Sequence, residues 1–382
     1  MKKKLLLTPG PTPVPERVLL AMAVPMMHHR TSEFREIVAE VENNLKYLFC
    51  TKNEVMIFAS SGTGAMEGAV ANLLSPGDTA VVVKGGKFGE RWEELCRVYG
   101  VKVVPIDIEW GTAVTPEQIS NALKSSGAKA VFITACETST GVKTDVEAIA
   151  NVVKKTDAVL VVDAVSSLGA MPLMMDEWGV DAVVSGSQKG MMAPAGLAFA
   201  SLSEKAWKMA ANSTSPKYYF DFSKARKNIQ KSDTPYTPAV SLIIGLNEAL
   251  RMIREEGLEN VWARHAKLAE AVRGAMKAIG LELFAQQPAA AVTAVKVPPE
   301  VDGLALVKNI RTKYGISIAG GQAQLKGKIF RIAQLGYMNR FDLIVGISAI
   351  EMELLELGYK VELGKGVKAA EETFTSSTVA VK

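Results

Sequence analysis

The chain has 382 residues, 48% of them apolar and 22% charged, and carries a formal net charge of +4. That length exceeds one ordinary core and predicts a large domain with a smaller one, in a globular balance rather than a disordered or membrane-embedded one. So small a charge, with no long basic run, argues against a dedicated nucleic-acid surface.

From the N-terminus, the apolar run after Met1-Lys2-Lys3-Lys4 is only Leu5 to Leu7, too short for a secretory segment, and nothing later approaches a membrane span. Prolines at 9, 11, 13, 15 and 25 predict an extended arm with at most a short helix between Pro15 and Pro25. Phe34, Val38, Val41, Leu45 and Leu48 then fall at helical spacing, with Thr31 or Ser32 available as a cap. Seven short apolar runs follow: Val55–Ala59, Ala80–Val83, Val101–Pro105, Ala130–Thr134, Val159–Asp163, Val180–Ser185 and Leu197–Ser201. Helical stretches such as Ala65–Leu74 and Glu90–Tyr99 separate most of them. This alternation predicts an α/β fold with a mainly parallel seven-stranded sheet covered on both faces, and ligands beyond the carboxyl ends of its strands.

Ser241–Ile279 has long helical periodicity interrupted near Gly257. After it comes a smaller α+β unit: strand Val292–Val297, helix Gly303–Tyr314, strand Ile329–Ala333 and helix Phe341–Leu357. The expected division is a large domain over 21–260 and a small one over 261–382, with the 1–20 arm packing near the latter. The tail from Thr373, rich in Ser, Thr and Val, is expected to be poorly ordered. Cys50, Cys96 and Cys136 are odd in number and widely spaced, so neither a disulfide framework nor a CxxC metal site is suggested. A reducing, cytoplasmic setting fits them.

Three segments carry chemistry. Ser60-Ser61-Gly62-Thr63-Gly64-Ala65-Met66-Glu67 joins a strand to a helix, where backbone N–H groups and close-approaching glycines form a phosphate cradle or simply a glycine turn. It is not a P-loop, since no Gly-Lys-Ser/Thr follows, and it matches a dinucleotide fingerprint poorly. Asp163 ends an apolar strand, where a carboxylate can bind Mg²⁺, cap a helix or keep a heterocyclic nitrogen protonated. Lys189, in Ser185-Gly186-Ser187-Gln188-Lys189-Gly190, stands among small residues with room to join an aldehyde, although most lysines only solvate a surface. Asp163 and Lys189 each follow a strand, 26 residues apart.

Together the glycine turn, Val162-Asp163-Ala164-Val165-Ser166-Ser167-Leu168-Gly169 and Ser185-Gly186-Ser187-Gln188-Lys189 resemble the class V aminotransferases of fold type I, most closely the alanine–glyoxylate and serine–pyruvate (serine–glyoxylate) group. The likeness runs from Thr8-Pro9-Gly10-Pro11 to the region of Arg331. It implies pyridoxal 5′-phosphate bound to Lys189 as a Schiff base, Asp163 on the pyridine nitrogen, and Ser61, Gly62, Thr63 and Gly64 around the phosphate. It further implies Phe88 stacking on the cofactor, where many relatives carry tryptophan, Thr138 of Glu137-Thr138-Ser139-Thr140-Gly141 contacting it, and Gln188 reaching its phosphate. Thr237, in Thr234-Pro235-Tyr236-Thr237-Pro238, would reach the phosphate of a partner subunit, making a homodimer with sites at the interface; Thr234 or Tyr236 could join it. Arg331, inside an apolar strand, would hold the substrate α-carboxylate, where a structural salt bridge is the alternative.

The function so implied is transamination of a small amino acid, alanine or serine, with a 2-oxo acid such as glyoxylate or pyruvate, Lys189 moving the proton. No metal site is expected: His28 and His29 are adjacent on an extended arm, and only His265 lies elsewhere. Neither histidine has an assigned role, and Arg30 is left as a candidate partner for a second substrate carboxylate. Rival readings are a phosphonate-, phosphoserine- or aspartate-type transaminase, a cysteine desulfurase (disfavoured, since no cysteine follows Cys136), a nucleotide-dependent dehydrogenase, and a non-catalytic binding module.

Overall fold

Runs rich in Val, Ala, Ile and Phe pair into one seven-stranded sheet in the computed structural model, which describes residues 4–376. Its order is Val55–Ala59, Leu197–Leu202, Ala182–Gly186, Val159–Asp163, Ala130–Thr134, Thr79–Lys84, Lys102–Asp107. Leu197–Leu202 is antiparallel to both neighbours, and the remaining pairings are parallel. All seven strands coincide with the expected runs, offset by one or two residues at some ends.

The central strands are apolar throughout because both faces are covered. Successive residues serve opposite layers: Val131, Ile133, Leu160, Val162 and Val183 pack with Phe34, Val38 and Leu45 of the helix Ser32–Phe49. Phe132, Val161 and Val184 pack with Met66 and Val70 of the helix Gly62–Leu73 and with Trp92 of the helix Lys87–Val98. Pro105, which has no N–H to give a ladder, sits on the edge strand.

Thr31 caps the helix Ser32–Phe49 by accepting the Phe34 N–H, and the short helix between Pro15 and Pro25 spans Glu16–Met22. Gly257, at φ +83, breaks the long periodic segment into Val240–Glu256 and Leu258–Ala278. A left-handed residue there is inexpensive only for glycine.

Beyond it, Val292–Lys296, Ile329–Ala333 and Ala319–Gly320 form an antiparallel three-stranded sheet. Its own core includes Leu268, Val272, Val295, Phe330, Ile347 and Leu354. Leu5–Leu6 of the arm pair with Ile316–Ser317, and Leu7 is buried in that core. The expected helix 303–314 is α-helical over Gly303–Asn309 and continues as a π turn over Ile310–Tyr314. The tail corrects the expectation in part: Thr373–Thr375 belong to a helix, Lys365–Thr375, which packs on Leu258–Ala278, while residues 377–382 lie outside the described residues. Among the described residues no helix is long and apolar enough to cross a membrane.

Candidate active site

The carboxyl ends of the sheet strands and the strand carrying Arg331 bring most of the candidate residues together. Asp163 is the last residue of its strand and is 3% exposed. One oxygen, Oδ1, accepts the Val165 N–H at 2.8 Å, and Oδ2 has no hydrogen bond among the described residues. Burial pushes its pKa up to about 6, with the Val165 N–H and the charges of Arg91 and Lys189 opposing the rise. A carboxylate so placed is relieved by a cationic N–H partner.

Lys189, 9% exposed, follows the strand Ala182–Gly186 and donates its Nζ hydrogen to the carbonyl of Pro9 on the arm. Burial lowers its pKa to about 8. The arm also grips the lysine backbone: Thr12 N–H donates to the Gln188 carbonyl at 3.2 Å, and its hydroxyl donates to the Lys189 carbonyl at 3.1 Å. Gly10 lies so close that a Cβ would run into the Lys189 side chain.

The glycine turn is a cradle rather than a generic bend. Ser61 is the N-cap of the helix Gly62–Leu73 without using its side chain, so the first amides keep no side-chain acceptor. A Cβ on Gly62 would meet Val165 at 2.6 Å, and one on Gly64 would strike Ser60 and Phe220. Gln188 reaches the same spot, 3.0 Å from where a Gly186 Cβ would stand, and its Oε1 is buried without a partner. An amide can turn its NH₂ toward an anion there, since its two ends are alike in shape.

Phe88 occupies the first turn of the helix Lys87–Val98. That turn is anchored by Glu137, 4% exposed, whose carboxylate accepts the N–H groups of Phe88 and Gly89, each at 3.1 Å, and of Ser139 at 3.2 Å. Burial raises the Glu137 pKa, and the Ser139 hydroxyl works against the rise. Thr138 shares a 2.7 Å hydrogen bond with Ser166.

The Thr138 carbonyl receives Arg331 Nη1 at 2.8 Å, while Nε and Nη2 donate to the Gly320 carbonyl at 3.1 and 2.7 Å. Arg331 is 5% exposed, burial lowers its pKa to about 10, and its hydrogen bonds among the described residues all go to carbonyls, none to a carboxylate. Three of its five N–H donors are used, leaving one on each terminal nitrogen, the arrangement that accepts a carboxylate end-on.

Thr237 stands apart. It is exposed, lines a hollow with Ile57, Ala59 and Leu197, and bonds to none of the other candidates. Nearby Thr234 is buried and donates to the Tyr236 carbonyl, and Tyr236 donates its hydroxyl to the Tyr218 carbonyl. The Arg30 guanidinium is already engaged by Asp233 and the Thr234 carbonyl. His28 and His29 lie ring to ring at 4.9 Å, and His265 is buried between the Val261 carbonyl and the Gly336 N–H. Glu137, Arg91 and Thr12 carry site geometry that sequence reasoning did not assign. Arg91 was discoverable, since it follows Phe88 by three residues on one helical face.

The sequence profile described as aminotransferase class-V matches residues 5–354, and the chain belongs to that family and is a transferase. It is 46% identical to the soluble hydrogenase small subunit of Synechococcus sp. (98% of this chain, 99% of that one). It is 39% identical to the L-aspartate–glyoxylate aminotransferase of Paracoccus denitrificans (98% and 97%) and to the serine–glyoxylate aminotransferase of Methylorubrum extorquens (96% and 94%). Among solved structures, the ureidoglycine–glyoxylate aminotransferase of Bacillus subtilis superposes with a TM-score of 0.93 at 30% identity, covering 98% of each chain. The fold is that of these aminotransferases.

Proposed function

We propose that this chain moves the amino group of a small amino acid, alanine or serine, to a 2-oxo acid such as glyoxylate or pyruvate, with pyridoxal 5′-phosphate held on Lys189. The observation that carries the reading is Arg331, a buried guanidinium with an N–H left on each terminal nitrogen and no carboxylate partner among the described residues, hydrogen-bonded to the Thr138 carbonyl and close enough for its charge to act on Lys189.

The residues fit the cofactor. Among the described residues the Asp163 Oδ2 is unengaged and the Gln188 Oε1 is unpartnered, and side chains at Gly62 or Gly64 would collide with Val165, Ser60 and Phe220. Bound, the cofactor supplies a ring that takes up the electron pair left when the substrate α-carbon loses its proton. Asp163 would hold the proton on the ring nitrogen. Phe88 would cover one ring face, its backbone fixed by Glu137. Lys189, with an amine near pKa 8, carries a neutral fraction around neutral pH and would be suited to take the proton from the substrate α-carbon and deliver it to the cofactor side. Arg331 orients the substrate by its carboxylate, and orientation of this kind removes an entropic share of the barrier.

The three relatives named as aminotransferases share glyoxylate as one substrate and differ in the other. For this chain the engagement of Arg30 by Asp233 supports a donor without a second carboxylate. A hydrogenase reading, raised by one relative's name, finds less support. Iron–sulfur clusters are held by cysteine thiolates, whereas Cys50, Cys96 and Cys136 lie on separate elements with thiols raised by burial.

The exposed Thr237 supports a homodimer in which it reaches the partner's phosphate, and the unpaired cysteines support a cytoplasmic setting. The distinct cluster of Leu268, Val295 and Phe330 supports the division into 21–260 and 261–382. Borohydride reduction after incubation with pyridoxal 5′-phosphate tests the core of the proposal: the cofactor mass should appear on the peptide containing Lys189. A colourless protein of unchanged mass overturns it.

A further inference from the structure

Arg91 projects from the second turn of the helix Lys87–Val98 and serves no role so far described. Its Nη1 donates to the Thr63 hydroxyl at 3.1 Å, in the first turn of the helix Gly62–Leu73. Its guanidinium carbon stands 4.9 Å from the centre of the Phe88 ring. The side chain thus ties the glycine-turn cradle to the aromatic side chain that would cover the ring.

The charge forms no ion pair among the described residues, although its field reaches the buried Asp163 and Lys189. Three acids near it are engaged with others: Glu90 with Lys87, Glu93 with Lys84 and Arg97, and Glu67 with the Tyr99 hydroxyl. No carboxylate bridges to Arg91 among the described residues. A half-buried arginine that gives one N–H to a neutral hydroxyl and stacks on a phenyl ring retains most of its attraction for an anion.

The direction of that attraction follows from Thr63. A hydroxyl has one proton to give and lone pairs to receive with. Receiving from Arg91, Thr63 is left to donate its own proton outward, at a helix N-terminus whose first amides lack intrahelical partners. The site at that end already suits an anion. Arg331 is held by other groups, the Thr138 and Gly320 carbonyls, so the two guanidiniums have different hydrogen-bond partners.

We propose that Arg91 is a phosphate-specific positioning residue: through Thr63 it aims a hydroxyl proton at the cofactor phosphate and supplies a fixed positive charge beside that dianion. The proposal rests on the pyridoxal 5′-phosphate reading above. It assigns to Arg91 an effect that depends on the phosphate rather than on the ring, and an ordinary structural arginine would not discriminate between the two.

The test compares capture of pyridoxal 5′-phosphate and of pyridoxal by the full-length, cofactor-free protein, followed by absorbance of the lysine-bound chromophore. Arg91→Gln should weaken pyridoxal 5′-phosphate binding about tenfold or more, the scale of one charge-assisted contact. Its binding of pyridoxal should change less than about twofold. Thr63→Val should show the same selectivity, and adding it to Arg91→Gln should cost little more, since both act on one contact. Arg91→Lys should recover part of the loss, and it carries the test if the Gln variant does not fold. Equal loss for both ligands, no loss for either, or fully additive effects overturns the proposal. Failure of the unaltered protein to capture pyridoxal 5′-phosphate at all would instead defeat the cofactor reading on which it rests.

Discussion

Glu137 accepts the backbone N–H of Phe88 at 3.1 Å across a sequence separation of 49 residues, so a buried carboxylate holds the backbone from which an aromatic side chain projects. The same oxygen takes the Gly89 N–H, and the pair occupies the positive end of the helix Lys87–Val98. Glu137→Gln turns an NH₂ toward N–H donors that need an acceptor. Leaving such buried groups unsatisfied costs roughly 1–3 kcal/mol. The variant should melt earlier and, with Phe88 displaced, bind pyridoxal and pyridoxal 5′-phosphate more weakly by the same factor. Thermal melting and the two titrations check this; unchanged affinity for both ligands would separate Glu137 from the stack.

The sheet was legible in the sequence because its strands, covered on both faces, are continuous apolar runs bounded by turn residues. Asp163 and Lys189 were legible because each stands at the end of such a run. Glu137 and Arg91 were not assigned, because their partners are a backbone amide and a hydroxyl on other elements, and no local spacing encodes those contacts. The helix Lys365–Thr375 escaped notice for another reason: only Gly366 and Ala370 are buried on it, too small a stripe to stand out from a polar tail. Arg331 shows the limit from the other side. Its burial was readable from the strand, but its three carbonyl contacts depend on the Thr138 and Gly320 turns folding against it.

Lys189 should react as an amine of pKa about 8 rather than 10.5, since burial disfavours its ammonium form. Only the neutral amine attacks an aldehyde. The rate of pyridoxal 5′-phosphate capture by the cofactor-free protein should therefore climb through pH 8 and level off by about pH 9, one unit above that pKa. Stopped-flow absorbance across pH 6.5–10.5 measures it, and a rate still rising toward 10 would mean that Lys189 is solvated.

Asp163 makes the cofactor-free protein sensitive to pH in a defined direction. Its folded pKa, about 6, lies above the 3.8 of the unfolded chain. The stabilisation is thus fully present below pH 3.8 and lost as pH rises through 6. The rise corresponds to about 3 kcal/mol. Asp163→Asn removes the buried charge and should make the cofactor-free protein more stable than the unaltered chain at pH 7–8, while turnover collapses because the ring nitrogen loses its partner. Denaturant melts at pH 5 and 8 decide it: the advantage of Asn should grow with pH. Equal stability at both would indicate that another group already neutralises Asp163.

On the proposed function, Arg331 and the engagement of Arg30 among the described residues should set the substrate preference. The two remaining N–H donors of Arg331 match one carboxylate, which every amino acid and 2-oxo acid carries. Arg30 is tied to Asp233 and the Thr234 carbonyl, so releasing it for a side-chain carboxylate would leave Asp233 with Arg35 as its one cation and the Thr234 N–H among the described residues. Placing an unpaired second carboxylate in the site is costly. Alanine and serine should therefore be better donors than aspartate and glutamate, with glyoxylate or pyruvate as acceptor. Arg331→Lys should harm all donors together, because a point charge cannot reproduce two parallel hydrogen bonds. The loss should be roughly 2–5 kcal/mol in kcat/KM. Steady-state kinetics with the four donors on both proteins settle it. A clear preference for aspartate or glutamate would refute the small-donor reading, and a defect confined to one donor would show that Arg331 reads the side chain rather than the α-carboxylate.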